Sequence, residues 1–339
     1  MLRGVAILLV LGRHFPYYRL WTRAGWIGVD LFFVISGFLI SGLLFSEFKA
    51  TGVIDFRRFF IRRGFKIYPP YYAFLLLTLP FTFGRLSWAE FTFMQSYVPS
   101  AFWGHGWSLS VEEHFYILLP LVLMLSLALY PRSEFCWIPY TLPVLITVCL
   151  AMRIAVGRGA ENWQVFNPTH LRIDALFAGV TLGWLYHFRK PRFALLARKT
   201  YLLPLGIVLS SSAFFAEQSS YWIYTIGLTA NLLGFACIVM WAGEHPTLGK
   251  LKPIALIGTF SYSIYLWHWP IAHIVWGSMK HGLVGFWTYA LGSVVLGVIM
   301  SKAVEAPSLR LRERMFPASV TAPKIRQPGS FRSAEKAMT

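Results

Sequence analysis

The sequence predicts an all-α fold: a polytopic transmembrane helical bundle of about ten spans with both termini in the cytoplasm. Three observations carry this. Of the 339 residues, 56% are hydrophobic and only 13% are charged, against roughly 25% charged residues in an ordinary soluble domain. Apolar runs of ~20 residues, the length that crosses a hydrocarbon core, recur along the chain. The basic residues are also distributed unevenly, with 23 of the 31 on alternate loops.

The apolar runs lie near 4–20, 27–47, 67–84, 108–130, 137–156, 171–187, 201–216, 221–242, 258–278 and 283–304. The seventh is short and ends in the polar "SSSAFFAEQSS", which leaves the count open by one in either direction. The first reads as a retained helix and not a cleaved signal, because "GRHFPYY" stands where small residues would mark a cleavage site. The opening, two residues before Arg3, leaves a start further upstream open.

With the N-terminus inside, the outer loops hold only Arg19, Arg23, Arg85, Arg158 and Lys280, while Arg132, Lys250 and Lys252 join the basic inner loops. The net charge of +17 therefore follows from topology and implies no nucleic-acid partner. The inner loops suit anionic lipid head groups or an anionic cytoplasmic substrate. Residues 1–304 form the membrane domain, in a cell (inner or plasma) membrane. Residues 305–339 form a basic cytoplasmic tail, opening with the short interfacial helix "SLRLRERMF" and otherwise disordered. Cys136, Cys149 and Cys237 show no paired spacing, and no His, Cys or carboxylate cluster has metal-ligand spacing.

Within the spans, ionisable residues mark candidate chemistry, since each is costly at depth. Arg3 and His14 are eleven residues apart, about 1100° of helical rotation, so they share a face and are separated by about 16 Å. Arg3 alone reads equally as a snorkelling anchor, and His14 alone as a polar interhelical contact. Imidazole takes and returns a proton near neutral pH. Asp30 opens the second span as a cap or a partner for a cation. Gly37 and Ser41 make a small-residue face for close helix packing. In "DFRRFFIRRGFKIYPPYY", cations alternate with aromatics as in an interfacial segment. Pro69 and Pro70 suit the first turn of the following helix. Arg62, Arg63 and Lys66 cluster where a phosphate-bearing cytoplasmic molecule would arrive.

In "GHGWSLSVEEHFYILLP", Glu112 and Glu113 begin the fourth span at its outer side, near His105 and His114. Adjacent helical residues diverge by about 100°, so at most one faces a common site with His14. Such a carboxylate would orient the imidazole. Arg172 and Asp174 share no helical face, so each requires a partner elsewhere. His268 lies in the aromatic "FSYSIYLWHWP".

Together these blocks resemble the acyltransferase-3 family of integral membrane O-acyltransferases. "LRGVAILLVLGRH", "GVDLFFVISGFLI", "RRGFKIYP", "WSLSVEEHFY", "HLRIDALFAG", "FSYSIYLWHWP" and "VEAP" resemble its blocks in the same order, over about residues 1–310. The resemblance implies an acyl-CoA donor, most simply acetyl-CoA, as a substrate with no permanently bound cofactor, and a glycan or lipid-linked hydroxyl as acceptor. It implies a catalytic group of His14, Arg3, Glu112 and Glu113, and donor binding by Arg3, Arg63 and Lys66. Lys66 stands where the family's second arginine is usual, which keeps the charge and loses the bidentate fork. No esterase-like domain follows the membrane part in this sequence, so transfer is expected to finish in the membrane domain or on a separate protein. A proton-coupled transporter is the alternative, but the sequence shows neither the broken helices nor the inverted repeats of that class.

Overall fold

The structure, a computed structural model, describes residues 1–15, 17–99, 101–130, 134–245, 251–278 and 282–317. Arg132, Lys250, Lys280 and the tail beyond Pro317 lie outside the described residues. Among the described residues all regular structure is helical: α1 (Leu2–Arg13), α2 (Arg19–Ala24), α3 (Ile27–Thr51), α4 (Phe56–Thr82), α5 (Trp88–Thr92), α6 (Trp107–Leu129), α7 (Ile138–Gly157), α8 (Asn162–Phe166), α9 (Ile173–Phe188), α10 (Lys190–Ala197), α11 (Leu202–Ser210), α12 (Ser212–Phe215), α13 (Leu228–Gly243), α14 (Lys252–Thr259), α15 (Ser261–Ser278), α16 (Leu283–Met300) and α17 (Ala306–Met315).

Among the described residues, five helical runs are long and apolar enough to cross a membrane: Ile27–Thr51, Gly104–Leu129, Ile138–Gly157, Ile223–Gly243 and Leu283–Met315. A sixth is the pair Lys190–Ala197 and Leu202–Phe215, bent by 76°, if it counts as one span. Their outer faces are apolar. Leu118, Leu121 and Leu125 on α6 and Leu291, Val295 and Ile299 on α16 are exposed, a surface suited to lipid and not to water. The broken pair is a feature the sequence did not reveal. It contributes none of the candidate residues.

α3 is the hub. It is apolar on every side, as a helix buried within a bundle must be, and it packs against α1, α6, α9 and α13. Its small-residue face behaves as predicted. A Cβ on Gly37 would sit 1.8 Å from the Leu176 carbonyl oxygen, and one on Gly179 would sit 2.1 Å from that of Val34, so the α3 and α9 backbones touch where no larger residue fits. Gly52, in the left-handed region at φ 75°, ends α3, and the Asp55 carboxylate caps α4 by accepting from the Arg58 amide at 2.9 Å.

Three boundaries differ from the sequence reading. The first helix stops at Arg13 and does not reach residue 20, and His14 caps it with φ −93° and ψ 9°. Pro16 accounts for this, since proline cannot continue the amide ladder and also biases the residue before it away from helix. α1 is thus about 18 Å long, well short of the ~30 Å hydrocarbon core. Conversely, α4 begins at Phe56, and Pro69 and Pro70 lie in its interior, not in a first turn. Pro69 leaves the Phe65 carbonyl without its helical donor. The Ser308 hydroxyl from α17 donates to that carbonyl instead, at 2.6 Å. The helix from Leu283 also runs through the expected 304/305 domain boundary, by a π turn at Ser301–Glu305, to Met315.

A buried ionic network fastens the hub. Asp30 pairs with Arg172 and accepts from Asn231 of α13 at 3.2 Å. Arg153 of α7 bonds Asp174 of α9 at 2.8 Å and Thr229 at 3.0 Å. Asp30, Arg153, Arg172 and Asp174 are each at most 2% exposed. The Arg172 guanidinium lies 4.6 Å from the Phe166 ring centroid. The partners required for Asp30, Arg172 and Asp174 are therefore supplied across helices. Removing one member strands a buried charge at a cost of about 3–5 kcal/mol. Arg172→Met is expected to lower unfolding stability in detergent by that amount, and Asp30→Asn with Arg172→Met to recover part of it. Unfolding curves of the matched variants check this.

Candidate functional site

The candidate residues fall into two neighbourhoods on the face that α1 turns toward α15. At the start of α1, the Arg3 Nε donates to Ser261 Oγ at 3.1 Å. Near its end, the His14 ring lies 5.1 Å from that of His268 and 4.4 Å from that of Trp269. Ser261 and His268 are two turns apart on α15. The shared face predicted for Arg3 and His14 is therefore present, and α1 and α15 run side by side in the same sense.

The first neighbourhood is a cavity of about 30 Å³ lined by Arg3, Ser36, Arg63, Lys66, Glu112 and Glu113, with Tyr262 and apolar walls. That volume suits a water or two. Glu112 accepts from Ser36 at 2.6 Å and from the Tyr116 hydroxyl at 2.8 Å. The Arg63 guanidinium lies 4.0 Å from the Tyr116 ring centroid, a cation–π contact, and its buried Nε has no hydrogen-bond partner among the described residues. Lys66 is paired with Glu305, whose other oxygen accepts from Ser263 at 2.7 Å and Ser301 at 3.0 Å. Of the three cations singled out for donor binding, Arg3 and Arg63 have no carboxylate ion pair among the described residues, while Lys66 is already engaged. Arg62 lies apart, bonded to Glu313 at 2.9 Å.

The second neighbourhood is aromatic. His105 and His268 rings are 5.2 Å apart, and both are buried, with His268 fully so. Tyr265 ties them together. Its hydroxyl donates to the His105 carbonyl at 2.7 Å, and its own carbonyl lies 2.6 Å from His268 Nδ1. His14 is half-buried.

The structure thus assembles Arg3, Arg63, Lys66, Glu112 and Glu113 around one cavity and places His14 outside it. The expectation that Glu112 or Glu113 stands against His14 is corrected. Glu112 is turned to Ser36 and Tyr116, and Glu113 to Arg63 and Tyr68. The reason is helical rise. Glu112 lies seven residues beyond His105, about 10 Å further along the chain, so His105 occupies the level of His14 and the carboxylates occupy the level of Arg3. Sequence reading also missed Glu305, although "VEAP" contains it. A carboxylate closing a long apolar run calls for a cation, but its partner is 239 residues away.

An apolar helical surface around a buried, charge-lined cavity defines an integral membrane protein with an interior site. The model of the acyltransferase-3 family, described as an acyltransferase domain, matches residues 1–302, and the chain belongs to this family. Among characterised proteins it is similar to O-acetyltransferase OatA of Staphylococcus aureus (strain NCTC 8325 / PS 47), with 28% identity over 95% of this chain and 58% of that protein. It is also similar to the peptidoglycan O-acetyltransferase OatA of Listeria monocytogenes, with 25% identity over 80% of this chain and 48% of that protein. The chain thus spans about half the length of these relatives. No solved structure matches it significantly.

The Lys66–Glu305 contact joins α4 to the end of α16, and its strength is open to measurement. A double-mutant cycle of Lys66→Met and Glu305→Gln is expected to give a coupling of about 1–3 kcal/mol in unfolding stability. Additive effects would show that the two side chains are not paired.

Proposed function

We propose that the chain transfers an acyl group, most simply acetyl, from acyl-CoA on the cytoplasmic side of the plasma membrane to a hydroxyl of an extracytoplasmic cell-wall glycan. The similarity to the peptidoglycan O-acetyltransferase of Listeria monocytogenes supports peptidoglycan as the acceptor. The observation that carries the reading is the placement of α1. Its start lies beside a cavity lined by Arg3 and Arg63, neither of which forms a direct salt bridge among the described residues, and its end presents a half-buried imidazole on the same face.

Arg3 and Arg63 hold the donor's phosphates, as guanidinium groups do through paired N–H donors. A cavity of about 30 Å³ holds no pantetheine arm, so the donor enters as the helices around it part. His14 then accepts the proton of the acceptor hydroxyl. The oxygen attacks the thioester carbonyl, the C–S bond breaks, and the departing thiolate takes the proton back from the imidazolium. In the two-step route the neutral imidazole attacks first and the acyl group passes from His14 to the oxygen. Label retained on His14 after an acceptor-free incubation identifies that route.

Membranes carrying equal folded amounts of wild type and His14→Ala, given radiolabelled acetyl-CoA and peptidoglycan, test the proposal. Transfer by wild type and a loss of at least about 100-fold in the variant are expected, the scale of a lost general base. Equal transfer by the two proteins would remove His14 from the chemistry. Arg63→Ala is expected to raise the KM for acetyl-CoA about tenfold or more, the scale of one charged hydrogen bond. An unchanged KM would place the donor elsewhere.

A further inference from the structure

We propose that His268 is the positioning residue of His14: its bare Nε2 accepts the N–H of the His14 ring and fixes that ring's tautomer and orientation. This role rests on the reading of His14 as the acyl-transfer base, and it is the one the sequence assigned to Glu112 or Glu113.

The argument begins with the tautomer of His268. Its Nδ1 lies 2.6 Å from the Tyr265 carbonyl oxygen. A carbonyl only accepts, so Nδ1 carries the hydrogen, and a neutral ring so bonded has its lone pair on Nε2. The side chain is fully buried, and Nε2 has no hydrogen-bond partner among the described residues. A buried acceptor left bare costs about 1–3 kcal/mol, so a donor is needed there. Two imidazoles are close enough: His14, with centroids 5.1 Å apart, and His105 at 5.2 Å. His105 bonds the Leu266 backbone through one nitrogen, so its unpartnered Nδ1 is itself an acceptor in the neutral ring, and His14 is left as the donor. The rings stand at 44° to each other, and a modest rotation of the half-buried His14 aligns an N–H with the lone pair. The opposite nitrogen of His14 then keeps its own lone pair for the acceptor hydroxyl or the acyl carbon.

The other groups facing this pair fit the assignment. Arg13, on the same helix as His14, is directed away, donating to the Thr22 carbonyl at 3.0 Å and to Gln218 at 2.5 Å. His105 packs its ring against His268 at 5.2 Å and offers a second buried nitrogen, Nδ1, without a partner. Trp269 closes the remaining side at 4.4 Å from His14. Among the described residues no carboxylate forms a hydrogen bond or salt bridge with the His14 ring, whose ring neighbours are His268 and Trp269. A carboxylate partner would hold a positive imidazolium as a lasting ion pair. An imidazole partner fixes the tautomer without a counter-charge, and like charges this close exclude double protonation. His14 is thereby kept as a neutral nucleophile.

The test is the reactivity of His14 toward diethyl pyrocarbonate, which acylates a neutral imidazole nitrogen. The full-length protein in detergent is used, and modification is followed by mass spectrometry across pH 5–8. His268→Leu removes the acceptor at similar volume. His268→Gln retains a carbonyl acceptor and guards against a variant that simply fails to fold. The expected result is modification of His14 at least about tenfold slower in His268→Leu, recovered in His268→Gln. Where acetyl transfer is measurable, kcat should follow the same order with the donor KM unchanged. Wild-type reactivity in His268→Leu, or no recovery in a folded His268→Gln, would overturn the role of His268. If wild type transfers no acetyl group while the reactivity pattern holds, the pairing stands and the proposed function falls.

Discussion

The Asp30–Arg172 ion pair is the constraint on which the rest of the bundle depends. It joins the first turn of α3 to the segment entering α9, and through Asn231 and the neighbouring Arg153–Asp174 pair it also fixes α13 and α7. Buried charges are poor sources of net stability, because desolvation consumes most of what the pairing returns. Their effect is on register. In hydrocarbon an apolar helix slides against its neighbours with little penalty, whereas a pair of buried charges has one acceptable alignment. The alignment that joins Asp30 to Arg172 also brings Gly37 against Gly179, so charge pairing and close packing select the same arrangement of α3 and α9.

With α3 fixed, α1 can be short. It leans on α3, α14 and α15 and ends at Arg13, three residues before Pro16. A helix that spanned the membrane would carry His14 in the middle of a regular surface, its side chain confined to a ridge. Ending the helix there puts the imidazole at a turn, half-buried, against the rings of His268 and Trp269. The proline that spoils the first apparent span is in this sense what frees the site.

Much of this was legible in the sequence, and the limits have physical causes. The common face of Arg3 and His14 follows from counting 100° per residue, and the Gly37 and Ser41 face follows from spacing alone. The need of Asp30, Arg172 and Asp174 for partners was readable from the cost of burying charge. The identity of those partners was not, because Asp30 and Arg172 are 142 residues apart and Arg153 and Asp174 sit on different helices, and neither pairing leaves a trace in local periodicity. Pro69 and Pro70 were read as a helix start because the rescue of the Phe65 carbonyl by Ser308 is tertiary. The carboxylates were set beside His14 because their place in the "SLSVEE" block was clear while the depth of that block in the bundle was not. A two-turn difference in level moved them to Arg3 and left the histidines together.

In the proposed reaction one short helix connects a donor held at its start with an acceptor met at its end, on opposite sides of the membrane. Sealed proteoliposomes of uniformly oriented protein test it most directly. Radiolabelled acetyl-CoA is supplied on the face that exposes the α17 end of the chain, and a soluble glycan fragment is enclosed on the other. Acetylated glycan inside, with no labelled CoA crossing, is the expected result. Product formed only when donor and acceptor share one side would contradict it.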